Sequence, residues 1–208
     1  MAKRLFDWLS SSVGLLLLAP LFLVLALVIK LDSRGPVFFR QERVGRGGKL
    51  FRIHKFRTMK IDVERQGAQI TVGADPRITR VGRLLRSAKL DELPQLFDVW
   101  VGHMSLVGPR PEVPFYVQFY PSDIRDMIQA VRPGITDLAS IEFRDENKIL
   151  ACASDPHVAY VREILPVKCK LYAEYVRTHT FFGDILIILL TFRALVCRVP
   201  LRLVNPEA

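Results

Sequence analysis

The chain has 208 residues, of which 50% are apolar, and it carries a formal net charge of +9. The length suits one domain or a domain with an anchor, and the apolar fraction argues against a disordered chain. The positive charge calls for anionic partners such as nucleic acid, anionic lipid or phosphorylated substrates.

The first predicted element is a long apolar helix. No charged residue occurs from 8 to 29, and about 20 helical residues are enough to cross the hydrocarbon core of a bilayer. Lys3 and Arg4 precede this segment, and a basic stretch that begins with Lys30 and Arg34 follows it. Because positive charge marks the cytoplasmic side of a membrane helix, both ends favour the same side.

Pro20 lies near the middle of this segment. A proline removes an amide donor and clashes with the carbonyl four residues earlier, so we expect a bend there. We therefore predict a re-entrant membrane helix hairpin over residues 1–33 and a cytoplasmic, membrane-associated domain over residues 34–208. A signal peptide fits poorly, because the apolar core of a signal peptide is shorter than this segment. An ordinary single-pass helix tolerates proline and stays open as an alternative.

A small β-hairpin is predicted after the anchor. Two strand-like runs, residues 37–40 and 50–53, are separated by the glycine-rich residues 44–48. Apolar runs bounded by glycine and turn residues are typical of paired strands. This hairpin is the β component of the predicted fold.

The rest of the chain indicates helices separated by proline-rich turns. Residues 105–114 are expected to be irregular and residues 131–135 to form a rigid turn, because proline and glycine interrupt both. The expected helices cover residues 117–130, 165–177 and 181–199, the last as a core or interfacial helix. The predicted fold class is α+β, mostly helical, with amphipathic interfacial helices.

Asp91 and Glu92 are the candidate catalytic residues. Pro94 predicts that a helix restarts near Asp91, because proline is tolerated in a first helical turn, and this would place a carboxylate at the positive end of the helix. An adjacent acidic pair by itself is usually a helix cap. The basic residues elsewhere in the chain change that interpretation.

Several of these basic residues are held by stiff backbone. Arg110 lies between two prolines, Arg132 precedes a proline, and Lys55 and Arg57 follow a predicted strand. A guanidinium on stiff backbone loses little entropy on binding, and its planar fork matches phosphate oxygens. Carboxylates among such arginines indicate phosphoryl chemistry, although a surface ion pair stays open for each arginine taken alone.

Four motifs occur in order along the chain: KFRTM at 55–59, LDELPQL at 90–96, SLVGPRP at 105–111 and VRPGIT at 131–136. Together they resemble the bacterial sugar transferases called monotopic phosphoglycosyl transferases. The resemblance covers residues 3–198, includes the proline-broken anchor, and corresponds to the minimal catalytic unit without the extra membrane domain of larger relatives.

Two positions depart from the family pattern. Relatives often have serine before the anchor proline, where this chain has Ala19, so a hydroxyl that could support the bend is missing. After Thr136, relatives often continue with glycine and tryptophan, and this chain does not. Arg144 still matches a family arginine.

The resemblance implies an enzyme that transfers a sugar 1-phosphate from a UDP-sugar to polyprenyl (undecaprenyl) phosphate and releases UMP, the first membrane step of glycoconjugate assembly. It implies Asp91 as the nucleophile that forms a covalent aspartyl phosphosugar. Glu92 would deprotonate the polyprenyl phosphate, and Mg²⁺ would contact Asp91. The candidates for binding substrate phosphate are Arg110 first, then Lys55, Arg57, Arg132 and Arg144.

The implied partners are a UDP-sugar, polyprenyl phosphate and the lipid bilayer, and a homo-oligomer is left open. The implied location is the bacterial inner membrane, with a monotopic protein facing the cytoplasm. The alternative from another class is a membrane-tethered nucleic-acid-binding or scaffold protein, which would explain the charge. It explains neither the carboxylate pair nor the stiffened arginines, and the chain lacks an aromatic and basic pattern such as an RNP motif, so we expect no nucleic acid. A non-covalent polyprenyl-phosphate transferase is a further alternative, but such enzymes have several spans and this chain has one apolar segment.

Overall fold

The computed structural model describes residues 2–60, 73 and 75–197. The strands are β1 (Phe38–Val44), β2 (Leu50–Phe56), β3 (Ser105–Val107) and β4 (Gly134–Thr136). The α-helices are α1 (Ala2–Asp32), α2 (Arg80–Ser87), α3 (Gln95–Val101), α4 (Pro114–Val117), α5 (Ser122–Ala130), α6 (Leu138–Glu142), α7 (Glu146–Ala151), α8 (Pro156–Ala159), α9 (Leu165–Thr178) and α10 (Phe181–Cys197). The protein is mostly helical with small sheets, which confirms the coarse fold class.

Helix α1 is long, apolar and continuous through Pro20. Its most apolar 18-residue window has a mean hydropathy of 2.8 and is only 6% buried. Among the described residues, α1 is the one helix long and apolar enough to cross a membrane. The structure has one helix where the sequence predicted a hairpin of two, because the turns on either side of Pro20 keep their helical backbone. The re-entrant path is not shown.

Polar contacts bind the start of α1 to the rest of the chain. The ammonium of Lys3 lies 2.5 Å from the buried carboxylate of Asp184 on α10. Arg4 donates to two carbonyls at the end of α3. The buried carboxylate of Asp7 accepts hydrogen bonds from Ser105 Oγ, at 2.8 Å, and from the backbone of β3.

The end of α1 also packs against the rest of the chain. Ile29 is buried in a cluster with Phe56 of β2 and Leu85 of α2. The buried Arg57 donates to the Ser33 carbonyl at 2.6 Å and to the Ser33 hydroxyl at 2.9 Å. Both ends of α1 are therefore attached to the same globular part of the protein.

The predicted β-hairpin is confirmed. Strands β1 and β2 pair antiparallel in a register that runs from Phe38 opposite Phe56 to Val44 opposite Leu50. Gly47, in the connection, has φ 67°, a left-handed conformation that glycine adopts without a steric cost. The strands are longer than predicted, and β2 carries Lys55 directly to the candidate site.

Strands β3 and β4 form a parallel pair that the sequence did not predict, since both fall where irregular structure was expected. Their backbones meet at Gly108 and Gly134, where a Cβ built on Gly134 would lie 2.1 Å from the Gly108 nitrogen. Such an approach is open only to residues without a side chain. The pairing fixes the start of the loop that carries Arg110.

The helices pack around a core that is rich in aromatic side chains. Helix α9 was predicted almost to its ends, whereas the single helix expected at 117–130 is divided into α4 and α5. Pro121, which directly precedes α5, has an extended ψ of 138° and separates the two. The largest cluster includes Tyr116, Leu150, Tyr160 and Leu165, and it forms the floor beneath one part of the candidate site.

Candidate active site

Asp91 and Glu92 lie in a short 3-10 turn, Leu90–Glu92, between α2 and α3. A 3-10 helix therefore restarts next to Asp91, as predicted, whereas the α-helix α3 begins only at Gln95. Lys89 has a left-handed backbone, with φ 57° and ψ 20°, and this ends the helical path before Asp91. A non-glycine residue in such a conformation costs about 1–3 kcal/mol and is concentrated at functional sites.

Helix α2 is pressed against the end of β2. A Cβ built on Gly82 would lie 2.2 Å from the Thr58 carbonyl oxygen, so the helix can approach this closely only because the residue is glycine. The Thr79 amide donates to the same carbonyl at 3.0 Å, and Arg86 Nε donates to Thr58 Oγ1 at 2.8 Å. These contacts hold Arg86 beside the turn that carries Asp91.

Glu92 is clamped between two cations. Lys55 Nζ lies 2.9 Å from Glu92 Oε1, and the Arg110 guanidinium donates to the same oxygen. Burial raises the pKa of Glu92, but Arg110 and Lys55 outweigh it and hold the pKa well below its usual range. Glu92 is therefore ionised at neutral pH and keeps both cations in place.

Asp91 has the opposite environment although it is the adjacent residue. Its side chain is buried, and Oδ1 has no hydrogen-bond partner among the described residues. Burial and the neighbouring charge of Glu92 raise the pKa of Asp91, against opposing effects of Lys55 and Arg86. A buried acceptor without a partner is costly, and this oxygen is available to bind a ligand.

An open cleft of about 430 Å³ surrounds the pair. Of the predicted phosphate-binding residues, it brings together Arg110, Lys55 and Arg144. Sequence reasoning missed five further basic residues that line the cleft: Arg43, Arg77, Arg86, Lys89 and Lys168. The available signal was the position of Arg86 and Lys89, which lie three residues apart shortly before Asp91.

Arg57 and Arg132 lie outside the described lining of the cleft. Arg57 caps the end of α1, as described above, and Arg132 Nε donates to the Gly102 carbonyl at 2.9 Å. A phosphate-binding role for these two residues stays a prediction that their positions do not support. Arg144 lines the cleft and also donates to the Ala194 carbonyl of α10.

A divalent cation fits this site only together with a substrate. Among the described residues there is no cluster of three or more histidine, cysteine, aspartate or glutamate side chains that could hold a metal alone. Mg²⁺ commonly binds one or two carboxylates together with substrate phosphates. The unpartnered Oδ1 of Asp91 suits that mode. The residues present therefore fit Mg²⁺, with Asp91 as its protein contact.

Comparison with known proteins shows the family to which the chain belongs. Residues 1–198 match the family model described as bacterial sugar transferase. The chain is 42% identical over 132 residues to a putative undecaprenyl-phosphate N-acetylgalactosaminyl 1-phosphate transferase of Bacillus subtilis, covering 64% of this chain and 74% of the relative.

Two longer matches have similar names. The chain is 37% identical over 195 residues to the UDP-N-acetylgalactosamine-undecaprenyl-phosphate N-acetylgalactosaminephosphotransferase of Aeromonas hydrophila, covering 93% of this chain and 43% of the relative. It is 37% identical over 196 residues to the UDP-glucose:undecaprenyl-phosphate glucose-1-phosphate transferase of Caulobacter vibrioides, covering 93% of this chain and 69% of the relative. The chain thus spans less than half of the Aeromonas protein. With its family model matched over residues 1–198, this chain belongs to the bacterial sugar transferase family.

Proposed function

We propose that this chain transfers a sugar 1-phosphate from a UDP-sugar to polyprenyl phosphate, such as undecaprenyl phosphate, and releases UMP. The observation that carries the proposal is a buried Asp91 with an unpartnered oxygen, beside a Glu92 held by Lys55 and Arg110, in a cleft rich in cations. The names of the relatives, which specify UDP-sugars and undecaprenyl phosphate, supply the substrate classes.

In the first step, an Asp91 carboxylate oxygen attacks the phosphorus that bears the sugar. The bond from Asp91 to phosphorus forms, the bond from that phosphorus to the bridging oxygen breaks, and UMP leaves with the electron pair. Phosphoryl transfer needs its developing charge neutralised, and Lys55, Arg86 and Arg110 lie at the site to do so. The product is a covalent aspartyl phosphosugar.

In the second step, the polyprenyl phosphate attacks the same phosphorus and releases Asp91. Glu92 accepts the proton of the incoming phosphate. Its pKa is low while Lys55 and Arg110 face it, but substrate phosphates compete for those cations, which raises the proton affinity of the carboxylate. The binding of substrate thus prepares Glu92 for its role as a base.

Mg²⁺ held by Asp91 and the diphosphate would neutralise charge on the phosphate oxygens and on the leaving UMP. The protein's own contribution is orientation. Arg110 is fixed between two prolines and donates to the Ile135 carbonyl at 3.4 Å, so its position is largely set before substrate binds.

The proposed anchor is a re-entrant α1 over residues 1–33, with the catalytic domain at the cytoplasmic face of the inner membrane. Support comes from the attachment of both ends of α1 to the same globular part. If α1 crossed a bilayer, its two ends would lie on opposite faces of the membrane, and one of these attachments would be lost. Exposed apolar side chains on α3 and α10, including Trp100 and Phe182, would add contact with lipid.

The test is a release assay. Purified enzyme is incubated with Mg²⁺, undecaprenyl phosphate and each of several UDP-sugars, and UMP is measured. We expect UMP with at least one UDP-sugar, and with that sugar alone we expect an intact-mass increase of one phosphosugar per chain. Absence of UMP across the panel would contradict the proposed activity, whereas UMP release with no adduct at single turnover would favour direct displacement.

A further inference from the structure

A second polar cluster lines the same cleft and takes no part in the reaction described above. The buried ammonium of Lys168 lies 2.5 Å from Glu146 Oε2 and 3.3 Å from the Tyr160 hydroxyl. Tyr160 in turn donates to Glu112, and Glu112 accepts from Arg43 at 3.3 Å. These five residues are called the Lys168 cluster.

The Lys168 cluster differs from the Asp91 region in its charge. Its two cations, Arg43 and Lys168, are balanced by two carboxylates, Glu112 and Glu146. Around the catalytic pair, in contrast, cations are in excess. Phosphate groups are stabilised by excess positive charge, so the diphosphate belongs with Asp91. A neutral, polar part of the substrate belongs with the Lys168 cluster.

The backbone at Tyr160 is also unusual. Residues Tyr160–Ile164 form a π-helical turn between α8 and α9. Such turns are rare and occur frequently at functional sites, where they change the direction of a side chain. Here the turn begins at the residue whose hydroxyl joins Glu112 to Lys168. Burial and Glu112 raise the pKa of Tyr160, so its hydroxyl stays protonated.

We propose that the Lys168 cluster binds the hydroxyl groups of the transferred sugar and thereby selects among UDP-sugars, an inference that rests on the proposed function. An ammonium has three N–H donors, and two of those on Lys168 point to Glu146 and Tyr160 among the described residues. The third can donate to a sugar hydroxyl, while Glu146 accepts from another. The rings of Phe143 and Tyr160 line the same cleft, with the Lys168 ammonium 6.0 Å and 4.8 Å from their centroids, so apolar groups adjoin the polar ones there.

Uracil fits this cluster less well than a sugar. Its edge presents two carbonyl oxygens and a single N–H, so two carboxylates would oppose most of that edge. A pyranose presents hydroxyls, each of which can donate to a carboxylate and accept from an ammonium. The balanced charges of the cluster therefore match a polyol, and the uridine is expected elsewhere in the cleft.

The experiment compares kcat/KM for UDP-sugars that differ at one hydroxyl, such as UDP-glucose and UDP-galactose, in the wild type, Tyr160→Phe and Glu146→Gln. Tyr160→Phe removes the hydroxyl that positions the Lys168 ammonium, and Glu146→Gln replaces a charged acceptor with a neutral amide, so each variant weakens a hydrogen bond to a sugar hydroxyl. We expect the ratio between the two sugars to change by about 3- to 10-fold in each variant. The inhibition constant of UMP, which carries no sugar, should change by less than about twofold in each variant.

Tyr175→Phe is the matched control. Tyr175 is also buried and also donates to a carboxylate, that of Asp184 at 2.7 Å, but it lies outside the described cleft lining. This control should leave the sugar ratio unchanged. An unchanged ratio in both cleft variants would overturn the inference, and an equal loss for all UDP-sugars with weaker UMP inhibition would assign the cluster to uridine instead. If the wild type released no UMP from any UDP-sugar, the proposed function itself would fail.

Discussion

The cleft and helix α1 are unusual in opposite ways, because the cleft buries charged groups and α1 exposes apolar side chains. In the cleft, Asp91 is only 8% exposed and Glu92 sits between two cations. On α1, Leu16 and Leu23 are 76% and 74% exposed. Buried charge and large exposed apolar surface are both unfavourable without a partner. On the proposed function, phosphate with a cation would be the partner of the cleft, and lipid would be the partner of α1.

The same contrast occurs inside the cleft on a smaller scale. Glu92 is already paired within the protein, whereas Asp91 keeps a buried oxygen unpartnered. Burying a charged group without a partner destabilises the folded chain, so we expect the Asp91 carboxylate to lower the stability of the protein. Variants that remove one carboxylate at a time should have different effects on activity and stability.

The largest effect is expected from Asp91→Asn. The amide is nearly the same size as the carboxylate but cannot act as an anionic nucleophile, so UMP release should fall to background. Because a buried, raised-pKa carboxylate is removed, the melting temperature should stay equal or rise. Normal turnover by this variant would exclude Asp91 as the nucleophile.

Removal of Mg²⁺ should have the next largest effect. With EDTA in excess, we expect UMP release to stop, because charge on the diphosphate is no longer neutralised beside Asp91. Added Mg²⁺ should restore the rate, and the melting temperature should not change, since among the described residues no protein-only metal cluster occurs. Full activity in EDTA would remove the cation from the proposed mechanism.

Glu92→Gln should slow turnover while leaving the first step possible. If Glu92 serves the attack by polyprenyl phosphate, labelled phosphosugar should accumulate on Asp91 when a UDP-sugar is supplied alone and should persist after polyprenyl phosphate is added. The measurement is intact-protein mass over time. Rapid loss of the adduct on addition of polyprenyl phosphate would show that Glu92 is not needed in the second step.

Arg110→Lys should reduce kcat/KM by about 10-fold or more, about 1.4 kcal/mol. Lysine keeps the charge but offers no planar fork to a phosphate or to Glu92. Arg132→Lys is the matched control, because Arg132 also adjoins a proline but lies outside the described cleft lining. We expect less than a threefold change in the control. Equal effects at both positions would mean that Arg110 acts through the fold and not through the substrate.

Local features of the fold could be predicted from sequence because they depend on neighbouring residues. The β-hairpin followed from a glycine-rich connection between apolar runs. The parallel pairing of β3 with β4 could not, since it depends on a contact between two glycines, Gly108 and Gly134, that are 26 residues apart in the chain. No local sequence pattern predicts such a long-range contact.

The candidate site shows the same limit. The carboxylate pair and Arg110 were recognised from their motifs, and the structure brings them together. Arg57 has an equally suggestive position after a strand, yet it caps α1. The role of an arginine depends on the carbonyls and carboxylates that long-range packing places around it, and residue spacing alone does not contain that information.

The smallest and most specific prediction concerns the topology of α1. In a cysteine-free chain carrying Ala2→Cys, a membrane-impermeant maleimide added from the periplasmic side should not label the protein until the membrane is permeabilised. The reason is that the contacts of Lys3 and Asp7 hold the start of α1 against α10 and β3. Immediate labelling would mean that α1 crosses the membrane.

Two changes should weaken this protection by different routes. Pro20→Leu restores an amide donor and favours a straight, spanning helix, so a fraction of the molecules should become labelled. Lys3→Met with Asp184→Asn removes the ion pair without leaving a buried charge, and we expect it to increase labelling further when combined with Pro20→Leu. The control is Lys148→Met with Asp145→Asn, which removes an exposed ion pair and should change nothing. If Pro20→Leu and the combined variant both stay fully protected, neither the proline nor the Lys3 contact holds the start of α1, and the remaining contacts of Arg4 and Asp7 become the explanation to test.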